Sequence, residues 1–506
     1  MKKTILSIFF LLGIQGWVTA QQSKVLNTQE RNNDAIKFAQ SITQEDLSKH
    51  LHVIAADSME GRLTGKPGQK KAARYISDYF KNIGLTPPVK TPQGNSYYQA
   101  FNFTTLTWGE VYIRIGNEKK TFKKDVYALK NSNMNQEVLM DVVFGGSGSE
   151  SDLSSLSIKD KGVVCIPQGM EDDEIASLAR SKGARAVFIV AGKNQKEFEE
   201  SVEFNNYYLK RGTSNLQEKN RKEDVIFYVS PTTAAQMLKT QEADLLANAS
   251  SPGKFNGSQI GVKAEMIEKI QFSSENVLGF MEGTDKKDEI VIVTAHYDHI
   301  GAKGDQINNG ADDDGSGTVS VMEIAEAFTK AKAAGKTPRR SILFMTVAGE
   351  ELGLYGSKYY TDYDPVFPLK NTVVDLNIDM VGRIGGDYLE ANDPNYIYLI
   401  GSDKLSSELH QLSEETNEKY TELKLDYKYN DENDPNRFYY RSDHYNFAKN
   451  NIPIIFYFNG VHPDYHQPTD EVDKIHFPKM EKIARLIFHT AWEIANREER
   501  LKVDKK

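Results

Sequence analysis

The stretch Glu289-Ile290-Val291-Ile292-Val293-Thr294-Ala295-His296-Tyr297-Asp298 reads as an apolar β-strand that stops in ionisable side chains. The segments after it repeat the unit. A helix is predicted over 317–331, where Val321, Ile324, Ala325 and Phe328 fall at i, i+3, i+4 and i+7 and give one stripe to face a sheet. A strand over 341–347, a helix near 352–361 and a strand over 371–378 follow, then strands over 396–400 and 452–458 and an amphipathic helix over 478–496. Regular alternation of this kind predicts an α/β fold with a mainly parallel central sheet flanked by helices.

Upstream the texture differs. Helices are expected over 36–57 and 67–83, the second closed by Gly84 as a C-cap. Short β-rich runs over 137–144, 162–166, 185–190 and 225–229, with a helix over 173–181, predict a smaller inserted α/β or β-rich unit. The division expected from sequence is a leader over 1–20, the first part of the main domain over 21–129, the insert over 130–255 and the rest of the main domain over 256–500. The leader has Lys2 and Lys3, an apolar run from Ile5 to Val18, and Val18-Thr19-Ala20 before polar Gln21, the pattern of a cleavable export signal. Its apolar core is shorter than the ~20 residues that span a bilayer. An exported protein, periplasmic or secreted and without a stable membrane anchor, is the expectation.

At 506 residues and 39 % hydrophobic content the chain can build more than one core, which excludes wholesale disorder. Its 62 basic and 71 acidic residues leave a formal charge of −9 with no basic tract, so nucleic acid is not an expected partner. The single cysteine, Cys165, forms no intrachain disulfide and no thiolate zinc site; it is most simply a buried small hydrophobe. Any metal must therefore be held by imidazole and carboxylate.

Such groups recur directly after apolar strands, where open α/β sheets bind ligands. The first strand ends in His296-Tyr297-Asp298, the second in Gly349-Glu350-Glu351, the third in Asp379, and the last leads by a loop to Tyr465-His466; Asp312-Asp313-Asp314 precedes a helix. Each group alone has a bland explanation, for instance acidic residues capping a helix. Together they predict a common centre. Two neighbouring divalent cations need an anionic group between them, and Asp313 is the candidate bridge. Asp298, two places after His296, is placed to orient the imidazole. Consecutive strand residues point oppositely, so of Glu350 and Glu351 one can bind metal while the other acts as a base.

The runs Ala295-His296-Tyr297-Asp298-His299-Ile300-Gly301, Gly310 to Gly317, Gly349-Glu350-Glu351-Leu352-Gly353, Asn377-Ile378-Asp379-Met380 and Asp464-Tyr465-His466, with the leader Gly61-Arg62-Leu63-Thr64-Gly65-Lys66-Pro67-Gly68, resemble the exported dinuclear-zinc aminopeptidases of the aminopeptidase Y type. The resemblance implies the three-layer zinc-exopeptidase fold and two Zn2+ ions per chain. It places His296 and Asp379 on one zinc and Glu351 and His466 on the other, with Asp313 shared and Asp298 and Asp314 as supports. It further implies Glu350 as general base to a metal-bridged hydroxide, Tyr465 as a donor to the oxyanion, and a cis peptide bond between Asp313 and Asp314. The implied activity is removal of N-terminal residues from peptides. Lys161-Gly162-Val163-Val164 and Lys182-Gly183-Ala184-Arg185-Ala186 make the insert similar to a protease-associated domain.

Glutaminyl cyclases, carboxypeptidases and non-catalytic receptor-like proteins share the scaffold. The retained set of five ligands with Glu350 favours the aminopeptidase. With that set complete, His299, His444 and His462 are expected to be pocket or supporting residues. Ser442-Asp443-His444 are adjacent and cannot face one another as a triad, and neither a Gly-x-Ser-x-Gly elbow nor a His-Glu-x-x-His helix is present.

Overall fold

Runs of β-branched and aromatic residues form strands because such side chains pack well on a pleated, buried surface. In the computed structural model, which describes residues 30–128, 134–205, 209, 213–216 and 226–505, these runs dominate the core. The expected export signal over 1–20 lies outside the described residues. The chain divides into two units, Met1–Phe101 with Ser273–Lys506, and Asn102–Phe272.

The first unit is built on strands β1 (Asn256–Met281, of which 277–281 pair here), β2 (Lys286–His296), β3 (Arg340–Val347), β4 (Thr372–Ile378), β5 (Tyr396–Ile400), β6 (Lys424–Asp426) and β7 (Ile454–Phe458). Their spatial order is β6–β5–β7–β4–β2–β3–β1. The four central strands β7, β4, β2 and β3 are mutually parallel, while β1 and β5 join them antiparallel. His296 pairs with Val347 and Ile378 with Tyr457, so the carboxyl ends of the parallel strands lie level along one edge.

Strand geometry sends alternate residues to opposite faces. On one face Ile290, Ile292, Leu343, Met345 and Val347 pack with Tyr360 and Phe447. On the other, Phe344 meets Phe328 of helix α4 (Gly317–Ala333), whose ring also lies 4.6 Å from Phe488 and 5.8 Å from Trp492 of α6 (Phe477–Asn496). The fold is therefore α/β with helices on both sides of a mainly parallel sheet, as expected. The stripe Val321, Ile324, Ala325 and Phe328 is fully buried, but so are Val319, Met322 and Ala327, because α2 (Gln44–Ile54) and α6 cover the helix as well as the sheet.

Two helices differ from expectation for local reasons. The one expected over 36–57 is a helix over 30–39 and then α2, because the Thr43 hydroxyl accepts from Asp46 N at 3.1 Å and starts a new helix. The one expected near 352–361 shrinks to Tyr355–Lys358 followed by a wide turn over Tyr359–Tyr363. Gly349 (φ 79°), Gly353 (φ 120°) and Leu354 (φ 60°) keep the chain in left-handed conformations until that point. Helix α3 (Pro67–Asn82) stands where expected, with proline at its start and Gly84 (φ 85°) just past its end.

In the second unit, strands Met134–Phe144, Gly162–Cys165, Ala186–Val190 and Ile226–Val229 run parallel, with helices Asp172–Ser181 and Gln195–Phe204 between them. Cys165 is buried among Leu153, Val163 and Ile175, and burial pushes its thiol up to about 12. This unit begins at Asn102, upstream of residue 130, since the ladder of Tyr112–Ile115 on Glu118–Thr121 and the pairing of Val126–Tyr127 with Tyr228–Val229 belong to it. Among the described residues no helix is long and apolar enough to cross a membrane.

Candidate metal centre

At the carboxyl edge of the sheet the chain must turn, and ionisable side chains take over from aliphatic ones. His296 is the last residue of β2 and is 1 % exposed; its Nε2 lies 3.2 Å from Asp313 Oδ1 and 3.6 Å from Asp379 Oδ1, the residue after β4. Asp313 turns its other oxygen away, so that Oδ2 is 3.1 Å from Nε2 of His466, which is also 3.4 Å from Glu351 Oε2. All five residues singled out as ligands thus converge, with Asp313 between two sets. The Asp313–Asp314 peptide bond is cis.

Glu350 is beside both sets and in neither, with Oε2 4.0 Å from His296 Nε2. Burial pushes its carboxyl well above the usual carboxylate range, His296 pulls it back, and the charges of Glu351 and Asp379 raise it further. Burial would lower His466, but the Asp313 carboxylate in contact with it and the charge of Glu351 outweigh that and hold it up at about 9. The centre carries more negative charge than its imidazoles balance.

The supporting groups are ordered. His296 Nδ1 lies 3.1 Å from the main-chain oxygen of Asp298 and 3.8 Å from its carboxylate, so the carbonyl rather than the acid is the nearer partner of the imidazole. The Asp298 carboxylate instead accepts from Thr64 Oγ1 at 2.6 Å and from Glu350 N at 3.3 Å. Asp314 binds backbone: Oδ2 accepts from His296 N (3.1 Å), and Oδ1 from Gly317 N (2.8 Å) and Met380 N (3.1 Å), which ties together three segments that carry candidate ligands. Asp379 Oδ2 accepts from Ser442 Oγ at 2.7 Å.

Two further supports, Arg62 and Asp470, carry no signal in the sequence. Arg62 is fully buried and donates to the carbonyls of Ile54, Tyr297, Asn309 and Gly310 at 2.6–2.9 Å, clamping the segment after β2 to the segment before Asp312. Asp470 accepts from the amides of Asp312 (3.0 Å) and Asp313 (3.2 Å). His462 Nε2 lies 3.1 Å from Asp312 Oδ2, while His444 is turned to Tyr439 O at 2.8 Å, away from the centre. Ser442, Asp443 and His444 have different partners, Asp379, Ser357 and Tyr439, so they form no triad. Arg62 and Thr64 lie in the quoted leader, but nothing in a glycine-rich turn says which carbonyls a guanidinium will reach.

A cleft opens on the centre, lined by the polar groups of His296, Asp313, Glu350 and Asp379, by Met380, Phe438, Phe456, Phe458 and Val461, and by Arg441 and Tyr465. The Tyr465 ring stacks on His466 at 3.9 Å, and its hydroxyl is 3.4 Å from Arg441 Nη2. Burial and the nearby Asp313 and Glu351 charges raise its pKa, so Tyr465 stays a neutral phenol donor.

Among the described residues two clusters have the donor chemistry and spacing to hold metal: His296 with Asp313 and Asp379, and His299 with Asp313 and Glu351. Buried Asp313 Oδ2, Glu351 Oε1 and both ring nitrogens of His299 make no hydrogen bond. Nitrogen and carboxylate donors left unsatisfied in a closed space are what a zinc site supplies, and these residues fit one.

The chain is similar in sequence and in fold to known aminopeptidases. The chain is 30 % identical over 249 residues to a probable leucine aminopeptidase of Trichophyton verrucosum, covering 47 % of this chain and 62 % of that protein. To aminopeptidase YwaD of Bacillus subtilis it is 28 % identical over 243 residues, or 46 % of this chain and 48 % of that one. The chain thus spans between 48 % and 62 % of the length of these two relatives. Its fold is similar to that of an aminopeptidase from Aneurinibacillus sp., with a TM-score of 0.53 at 20 % identity over 93 % of this chain and 98 % of that one. Residues 276–491, which carry every candidate ligand, match the family model described as Peptidase family M28.

Proposed function

We propose that the chain is a zinc-dependent exopeptidase, an aminopeptidase that removes residues from peptides with a free amino terminus. The observation that carries the reading is the shared carboxylate: Asp313 presents one oxygen to His296 and the other to His466. His296 and Asp379 would hold one Zn2+, Glu351 and His466 the other, and Asp313 both. When bound, such a pair supplies Lewis acidity, lowering the pKa of water and polarising a carbonyl.

The chain's own residues do the rest. Glu350 takes the proton of the attacking water on its carboxylate and returns it to the leaving amine; a carboxyl whose pKa is raised by burial is suited to both halves of that transfer. Tyr465 donates its hydroxyl to the oxygen of the scissile carbonyl as charge builds there. Met380, Phe456, Phe458 and Val461 give the cleft an apolar wall, which favours an apolar first side chain. Asp314 and Arg62 keep the reacting groups in register through backbone contacts.

The apolar N-terminal stretch over 1–20 supports export to the periplasm or beyond, and the parallel β-α pattern of the second unit supports a protease-associated insert. The main test is a panel of peptides with free and with blocked amino termini, assayed with zinc and after chelation. Release of single N-terminal residues from free peptides only, lost on chelation and restored by zinc, is expected. Hydrolysis of blocked peptides, cyclisation of N-terminal glutamine, or inactivity throughout would contradict the reading.

A further inference from the structure

We propose that His299 is itself a ligand of the cation held by Glu351 and His466, an added imidazole donor beyond the five residues that the strand ends supply; the proposal rests on the metal-centre reading above. His299 is fully buried, yet neither ring nitrogen makes a hydrogen bond. A neutral imidazole carries one N–H and one lone pair, and burying both without partners is costly. The ring is not adrift in an apolar pocket. Its Nδ1 lies 2.8 Å from Glu351 Oε1 and 3.8 Å from Asp313 Oδ2, and both of those oxygens are buried and without a hydrogen bond as well.

At 2.8 Å a protonated Nδ1 would be expected to aim its hydrogen at the glutamate, but the pair lacks that alignment. Donors that share one zinc each stand about 2.0–2.2 Å from it and so sit roughly 3 Å from one another. His466 approaches the same two carboxylates from another side, and the two imidazole rings are 5.8 Å apart, edge to face. Two imidazoles therefore flank one pair of acidic groups.

The position is built rather than incidental. His299 N donates to Arg62 O at 3.2 Å, and Leu63 pairs with His299 in a parallel bridge, which fixes the backbone. Gly310 (φ 53°) lies against the ring, where a Cβ would come within 2.6 Å of it. The consequence is asymmetry: one cation has a single imidazole and two carboxylates, the other two imidazoles and two carboxylates.

The experiment uses protein stripped by chelator and titrated with Co2+, in the wild type and in His299→Gln and His299→Ala, with circular dichroism to confirm that the variants fold. Two bound ions are expected in the wild type. In both variants one affinity should fall at least about tenfold, with a changed visible absorption for that ion and an unchanged affinity for the other. X-ray absorption of the zinc-loaded wild type, which needs no variant, should count three imidazoles for two zincs. Two ions bound, unaltered affinities and spectra in the variants, and two imidazoles per pair would overturn this proposal and leave the metal-centre reading standing. Failure of the wild type to bind a second ion would overturn both.

Discussion

In the proposed mechanism the residue on which turnover would depend most is Glu350, which sits 4.0 Å from the candidate-ligand nitrogen of His296 without belonging to either cluster. Glu350→Gln keeps the shape and removes the base. It should retain its zinc, measured by elemental analysis, while kcat falls by at least about 100-fold; loss of zinc or near-normal turnover would show that the two glutamates have exchanged roles. His296, Asp313, Glu350, Glu351, Asp379 and His466 stood out in the sequence because they follow apolar runs, directly or by a loop, or precede a helix, so strand geometry predicts their convergence, while their separate roles came from the resemblance. Arg62 and Asp470 did not, and His299 was legible only as a pocket or supporting residue. Arg62 and Asp470 act on backbone atoms, which leave no mark in the pattern of residue types. His299 looked superfluous beside a ligand set already complete.

Among the elements, the junction of α4 with the end of β4 is closely packed beside the centre. A Cβ on Gly317 would lie 2.4 Å from Asp314 Oδ1 and 2.5 Å from Ile378 O, the residue before Asp379. Gly317→Ala should cost about 1–3 kcal/mol in chemical denaturation through forced displacement of these groups; an unchanged midpoint would mean that helix and strand can separate freely there. Helix α6 holds a second strained choice. Lys479, 2 % exposed, has an Nζ without a hydrogen bond, 3.5 Å from the centre of the Tyr396 ring, and burial pushes its pKa down to about 7 against the raising effect of Asp312 and Asp393. Between pH 7 and the unfolded value of about 10.4 the unfolded chain binds the extra proton, so this group adds stability as pH rises through that window and costs most below it. Lys479→Met should raise the melting temperature at pH 7 by about 2 °C or more and flatten its rise toward pH 10. A lower melting temperature at pH 7 would show that the cation is held by the ring. Elements were legible where apolar period was strong, as in α4 and β2 to β4, and less so where a capping Thr43 or left-handed Leu354 broke a continuous pattern.

For the molecule as a whole, a crowd of carboxylates around His296, His299 and His466 is a cost that bound cations would offset, so metal and folding should be linked. At zinc a hundredfold above its dissociation constant the holo form should be more stable than the chelated form by about 2.7 kcal/mol per site. Identical unfolding curves with and without zinc would mean that the donors do not act together. The proposed chemistry needs a pair of cations bridged by Asp313, and anomalous diffraction at the zinc edge from crystals of the metal-loaded protein tests that most directly. Two peaks are expected, one among His296, Asp313 and Asp379 and the other among Asp313, Glu351 and His466; no peak at these groups, or a single one that leaves one Asp313 oxygen without metal, would contradict it.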